Sequence, residues 1–191
     1  MSTLETNLIR PSTGTSLTIG ESGDTTNIVG TLQNNGAGVG GANTPSFLAT
    51  LSSNQSISDA TFTKIQFNTE VFDTDNAYDN SSNFRFTPQT AGKYLVNAVT
   101  SSNSGTNSDI LRVYQTIRKN GSQFQLQNMD TRDGGGFRVM TISSSLIVNM
   151  NGSSDYLEVY VYADSNSGNA INIGGGSDDY SLFQAFKLIG V

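Results

Sequence analysis

From Ser46 to Val191 the chain is a succession of short runs in which apolar residues recur at every second position. Each run is closed by Gly, Asn, Asp, Ser or Pro. A period of two is what a β-strand with one covered face requires, and it leaves no room for helices of period 3.6. The runs are SFLATL (46–51), FTKIQFN (62–68), Asn83–Phe86, GKYLVNAVT (92–100), DILRVYQTIRKNG (109–121), SQFQLQNM (122–129), FRVMTISSSLIVNM (137–150), DYLEVYVYA (155–163) and YSLFQAFKLIGV (180–191). Asn120-Gly121 between two of them is a strong signal for a tight type I′ hairpin. Many short strands joined by turn clusters predict an all-β domain, a sandwich or a barrel. Composition agrees: 66 of 191 residues are Ser, Thr or Asn, and only 14% are charged, which argues against a helical bundle.

The alternation also says which strands have a wet face. In DYLEVYVYA, Leu157, Val159 and Val161 point one way, and Tyr156, Glu158, Tyr160 and Tyr162 the other. GKYLVNAVT differs. Tyr94, Val96 and Ala98 share one face, yet Leu95 and Val99 lie on the opposite one. In the last run Leu182, Phe186 and Leu188 oppose Phe183, Ala185 and Ile189. A strand that is apolar on both sides needs cover on both. A two-layer sandwich covers one side, so the other requires a further subunit or the N-terminal arm. Burial of each Phe or Leu is worth roughly 1.5–3 kcal/mol.

Residues 1–41 read differently. LTIGESGDTTNIVGTL places Leu17 and Ile19 before a Gly20–Asp24 turn, and Ile28, Val29 and Leu32 after it, which predicts two short strands. Strands this short are marginal alone, so these five residues are expected to anchor the arm on a partner. NNGAGVGGANTP (34–45) reads as a Gly-rich linker. The expected organisation is an anchoring arm with its linker over 1–41 and a head over 42–191. MSTLETNLIRPSTG lacks the basic and apolar segments of a signal peptide, and no apolar run reaches a membrane span.

One stretch carries a motif. Phe67 is followed by Asp73 after five residues and Tyr78 after four more; Phe86 comes after seven, Gly92 after five, and Tyr94 follows. This resembles the signature of the complement q-subcomponent and tumour-necrosis-factor superfamily: Phe, five residues, Asn or Asp, four residues, an aromatic, six residues, Phe, five residues, Gly-x-Tyr-x-Phe-x-aromatic. The interval before Phe86 is one residue longer, and Val96 and Ala98 stand where the family has aromatics. Gly152–Val161 looks like the family's Gly-Asp turn and following strand, and Phe183–Ile189 like its closing strand. Over about 46–191 the resemblance implies a ten-strand antiparallel jelly-roll sandwich that assembles as a tight homotrimer. The family pattern places Leu95, Ile142 and Phe183 at the subunit contacts. The style of ANTPSFLATLS, TKIQFNTEVFDTDNAYDN and the SGDTTNIVG arm is similar to short fibre and decoration proteins of tailed bacteriophages.

The chemistry available is narrow. No His, Cys or Trp is present, which removes Ser-His-Asp and Cys-His catalysis, zinc sites built on His or Cys, and disulfides. Glutamates are scarce and form no glycosidase pair. GGGF (134–137) and GGGS (174–177) lead into no Lys-Ser/Thr helix, so neither is a phosphate loop. Asp73, Asp75 and Asp79 have an Asp-x-Asp spacing able to offer oxygen ligands to calcium, without the Gly and bidentate Glu of an EF-hand; Asp73 is also the turn residue of the motif. Tyr156, Tyr160 and Tyr162 form a stripe that reads as ordinary cross-strand partners or as a stacking surface for sugar rings. A net charge of −6 argues against a nucleic-acid partner.

The expected function is that of a non-enzymatic virion structural protein without a cofactor. Its trimeric head sits at the virion surface as tail fibre, tip or capsid decoration in host attachment. Its arm joins other virion proteins, and a host surface glycan is a further possible partner. Three heads would raise apparent affinity by multivalency. The alternative is a free glycan-binding lectin or adhesin.

Overall fold

The computed structural model describes residues 19, 21–30, 33–34, 37–38, 43–176 and 181–189. The chain divides into two compact units, Met1–Gly41 and Ala42–Val191.

In the first unit β1 (Gln33–Asn34) and β2 (Ala37–Gly38) form an antiparallel pair. This corrects the reading of that stretch as plain linker: the sequence between them is Asn35-Gly36, a dipeptide suited to tight hairpins. Among the described residues around the Gly20–Asp24 turn, 19 and 21–30, no strand occurs. Ile19, Ile28 and Val29 are exposed and lie in no strand, while Leu17 and Leu32 fall outside the described residues. The turn itself is satisfied locally, with the Asp24 amide donating to the Glu21 carbonyl at 3.0 Å and the Glu21 amide to the Asp24 carboxylate at 2.8 Å. A turn closed by its own side chain needs no ladder beside it.

Among its described residues the second unit carries thirteen strands. They are β3 (Ser46–Thr50), β4 (Gln55–Ile57), β5 (Thr63–Lys64), β6 (Thr69–Asp73), β7 (Tyr78–Asp79), β8 (Arg85–Phe86), β9 (Gly92–Asn103), β10 (Ile110–Lys119), β11 (Ser122–Asp130), β12 (Val139–Met150), β13 (Leu157–Ser165), β14 (Ile171–Ile173) and β15 (Leu182–Lys187). The count exceeds ten because β4, β5, β7, β8 and β14 are fragments of two or three residues. The run 62–68 keeps only β5 as strand; beyond it the chain turns its side chains inward without a continuous ladder.

The strands form two antiparallel sheets. A six-stranded sheet runs β11-β10-β13-β8-β7, with β5 also pairing β13; a seven-stranded sheet runs β4-β14-β9-β15-β3-β6, with β12 on the free side of β9. Asn120 and Gly121 adopt φ of 53° and 78°, the left-handed pair that closes the β10–β11 hairpin.

The core lies between the sheets. Phe47, Phe67, Phe86, Tyr94 and Phe183 are fully buried, so the motif aromatics are core residues. Phe47 stacks on Tyr78 at 4.6 Å and on Phe86 at 4.7 Å, and meets Phe183 edge-on at 5.0 Å. The core tyrosine hydroxyls find partners: Tyr94 donates to the Thr90 carbonyl at 2.7 Å and Tyr78 to the Phe67 carbonyl at 3.0 Å. Burial, with Asp75 nearby, pushes the Tyr94 phenol up to about 12. One amide bridges the layers. Gln115, fully buried on β10, donates to Thr100 Oγ1 on β9 at 2.8 Å and to the Ile142 carbonyl on β12 at 3.2 Å, and accepts from the Ser144 hydroxyl.

Candidate functional site

Strand register arranges the second apolar side of β9 and β15 into a continuous surface. The inward set on β9 is Tyr94, Val96, Ala98, Thr100 and Ser102, all buried; Leu95, Asn97 and Val99 face away from the six-stranded sheet. Cross-strand pairing aligns Phe186 with Leu95, Gln184 with Asn97 and Leu182 with Val99. On one flank Ile147 of β12 lies opposite Leu95 and stays 58% exposed. On the other flank Leu48 of β3 lies opposite both Gln184 and Phe72 of β6, and Phe72 packs on Phe186 with ring centres 6.0 Å apart. The β3–β6 register slips between Leu48 and Ala49. Val71, next to that slip, is 60% exposed and lines an apolar cavity of about 380 Å³ with Leu48, Thr50, Leu51 and Leu182. The outer side of this sheet therefore carries an apolar patch around Asn97 and Gln184, bordered on β12 by Ser143 and Ser145, which lie opposite Val99 and Asn97.

Of the three residues expected at subunit contacts, only Leu95 lies on that face, half-buried. Phe183 is corrected: it is 0% exposed and packs against Phe47, Phe67 and Tyr78 between the sheets. Ile142 is corrected too, because at 6% exposed it occupies the inward register of β12. Both strands alternate as read, but the family pattern put these two on the wrong side of the pleat. Val99, Leu182 and Phe186, visible in the sequence as second-face residues, hold the outer positions instead. Leu48, Phe72, Val71 and Ile147 escaped the sequence reading, since only pairing across five strands collects them.

The aspartates act as turn caps. Asp73 accepts the Tyr78 amide at 2.8 Å and the Asp75 amide at 3.3 Å. Asp79 accepts the amides of Ser81 at 3.0 Å, Ser82 at 2.9 Å and Asn83 at 3.1 Å. Those donors, the Ser82 amide first, hold the Asp79 carboxyl well below the usual range. Glu70 beside them is raised, by desolvation first and then by Asp73 and Asp79. Among the described residues no three acidic side chains converge as a metal site, and Asp73, Asp75 and Asp79 are not brought together as calcium ligands.

The outer side of the six-stranded sheet is of another kind. Tyr156, Tyr160 and Tyr162 do share it, with Glu158 buried among them and paired to Lys64 at 2.7 Å. The sequence reading missed the arginines between the rings: Arg112 and Arg118 on β10 and Arg85 on β8. Their signal was present, since Arg112, Tyr114, Thr116 and Arg118 repeat with period two.

No protein-family model matches the chain, and no curated protein does. Solved structures do. The chain is similar to the globular domain of zebrafish complement 1qA protein, with a TM-score of 0.51 and 12% identity over 75% of this chain and 97% of that one. Murine APRIL gives 0.52 and 12% over 75% and 99%. Eiger TNF from S. frugiperda gives 0.51 and 9% over 76% and 92%. At such identities the likeness is one of fold, and it makes the two-sheet sandwich a jelly roll of this type.

Proposed function

We propose that this protein is a non-enzymatic structural protein of a tailed-phage particle. It assembles as a homotrimer through the outer face of the seven-stranded sheet, and its N-terminal unit joins it to other virion proteins. It stands at the virion surface as a tail fibre, tip or capsid decoration and serves host attachment. The observation that carries the assembly is the apolar face of Leu95, Val99, Leu182, Phe186, Leu48 and Ile147. A contiguous apolar surface of this kind on a sheet marks an association site. A closed ring of copies hides it, whereas an open array would expose it at both ends. The jelly-roll fold and the lack of any His or Cys support a binding rather than a catalytic role. The phage setting rests on the style of the sequence and its separate N-terminal unit.

The test has two parts. Light scattering of the purified protein at micromolar concentration should give three times the 20.3 kDa chain mass, and Leu95→Asp with Phe186→Asp should reduce it to one. A stable wild-type monomer rejects the assembly. Antibodies to the protein should decorate purified phage particles, and the free protein should compete with them for adsorption to cells; unlabelled particles reject the virion role.

A further inference from the structure

The outer side of the six-stranded sheet carries guanidinium groups set close to aromatic rings. Arg118 Cζ sits 3.9 Å from the Tyr160 ring centre and 5.5 Å from that of Phe62. Arg85 lies 4.6 Å over Tyr156, and Arg112 lies 5.2 Å over Tyr162. Tyr162 in turn stacks on Tyr114 at 5.2 Å and meets Phe62 at 5.3 Å. Attraction to a ring does not consume the N–H donors of a guanidinium, so an arginine held over a ring can still offer a fork to a carboxylate; Arg112 spends its donors on Asp164 and on the Tyr162 and Tyr114 hydroxyls at 2.8 and 3.4 Å.

The forks differ in whether they are filled. Arg112 already holds Asp164 at 2.7 Å, Lys64 holds Glu158, and Arg132 holds Asp130. Arg85 and Arg118 engage no carboxylate among the described residues, and the Arg118 Nε is buried without a partner. Across the strands Arg118 lies opposite Glu158, whose carboxylate is held by Lys64, and Arg85 lies opposite Asp79, whose carboxylate takes loop amides, so the guanidinium donors of both arginines are left without an ion pair among the described residues.

We infer that this face binds an acidic polysaccharide: carboxylates on successive sugars enter the forks of Arg118 and Arg85, and pyranose C–H faces lie on the open aromatic rings. The inference deepens the proposed attachment role and rests on it for the claim that the polymer belongs to a host surface. Two features select this ligand. The backbones of β10 and β13 are paired on both sides, so no peptide strand can add to them. Arg118 on β10 and Arg85 on β8 stand on either side of β13, about two strand spacings or roughly 10 Å apart, which suits two sugars of one chain rather than a single sugar. Phe62, 38% exposed, leaves ring surface open to stack on.

The experiment is calorimetry on the full chain with oligogalacturonate, its fully methyl-esterified form, oligosialic acid and poly-glutamate of matched length. At least one of the two free-acid saccharides should bind, and the esterified form should not. Arg118→Ala and Arg85→Ala should each weaken binding about tenfold or more. Arg118→Lys should not restore it, because an ammonium lacks the planar fork. Unchanged melting temperatures confirm that the variants are folded. Failure of both acidic saccharides to bind, equal binding of the ester or of poly-glutamate, or affinity unmoved in both arginine variants overturns the inference. Light scattering on the same samples separates the two ideas: an intact trimer that binds neither saccharide rejects the ligand alone, and a monomer that binds rejects the assembly alone.

Discussion

Phe183 meets Phe47 edge-on and faces Tyr78 and Phe67, so its removal opens a hole between the layers rather than a gap between subunits. Phe183→Ala should lower stability by about 3–5 kcal/mol in urea denaturation. Below the transition the assembly should stay intact; dissociation without loss of stability would return the residue to an interface. Gln115 makes a complementary case. Its amide is the polar link between β10 and the β9–β12 pair, and Gln115→Leu keeps the volume but strands the hydroxyls of Thr100 and Ser144. The expected cost is about 2–4 kcal/mol, read by the same denaturation. Asp79 governs the acid limb. Its folded value is depressed by backbone amides, so the carboxylate stabilises the fold above the unfolded value of about 3.9 and loses that contribution as pH falls toward the folded value. The melting temperature of the wild type should drop between roughly pH 4 and 2, and Asp79→Asn should flatten that drop. An identical slope in the variant would show that other carboxylates control it.

At the scale of elements, what could be read in the sequence was set by local chemistry. The β10–β11 hairpin was legible because Asn120-Gly121 admits the required positive φ. The faces of β9, β13 and β15 were legible because alternation survives in each strand separately. The short fragments β4, β7 and β14 were not, since two or three residues carry too little alternation and each holds its place only by pairing: Ile57 lies opposite Ile171, and Tyr78 opposite Phe86. Turn contacts were equally hidden. Gly152, at φ 71°, presses its α-carbon against the connection before β9; a Cβ there would run into the Ala91 amide nitrogen and the Thr90 carbonyl carbon. Gly152→Ala should therefore cost about 1–3 kcal/mol, measured by thermal unfolding. A neutral substitution would mean that the two turns separate freely.

At the scale of the molecule, the two sheets present unlike surfaces, and ionic strength tells them apart. In the proposed trimer the contacts of Leu95, Leu182 and Phe186 would be apolar and should hold near 1 M salt, where the Debye length is only about 3 Å. Binding through Arg85 and Arg118 should weaken over the same range. A trimer that falls apart in salt, observed by light scattering, would show that charge rather than apolar burial holds it together.

The sequence by itself determined that the chain is all-β, where its main strands run, and that β9 and β15 are apolar on both sides, because side-chain alternation is a property of each strand alone. Which side of the pleat faces the other sheet was decided only by the tertiary structure, and with it the inward placing of Ile142 and Phe183 and the gathering of Leu48, Phe72 and Ile147 beside Leu95. Strand pairing and layer packing join residues far apart in the chain. Their outcome is set by the summed burial of the whole sandwich, which no single run of residues contains.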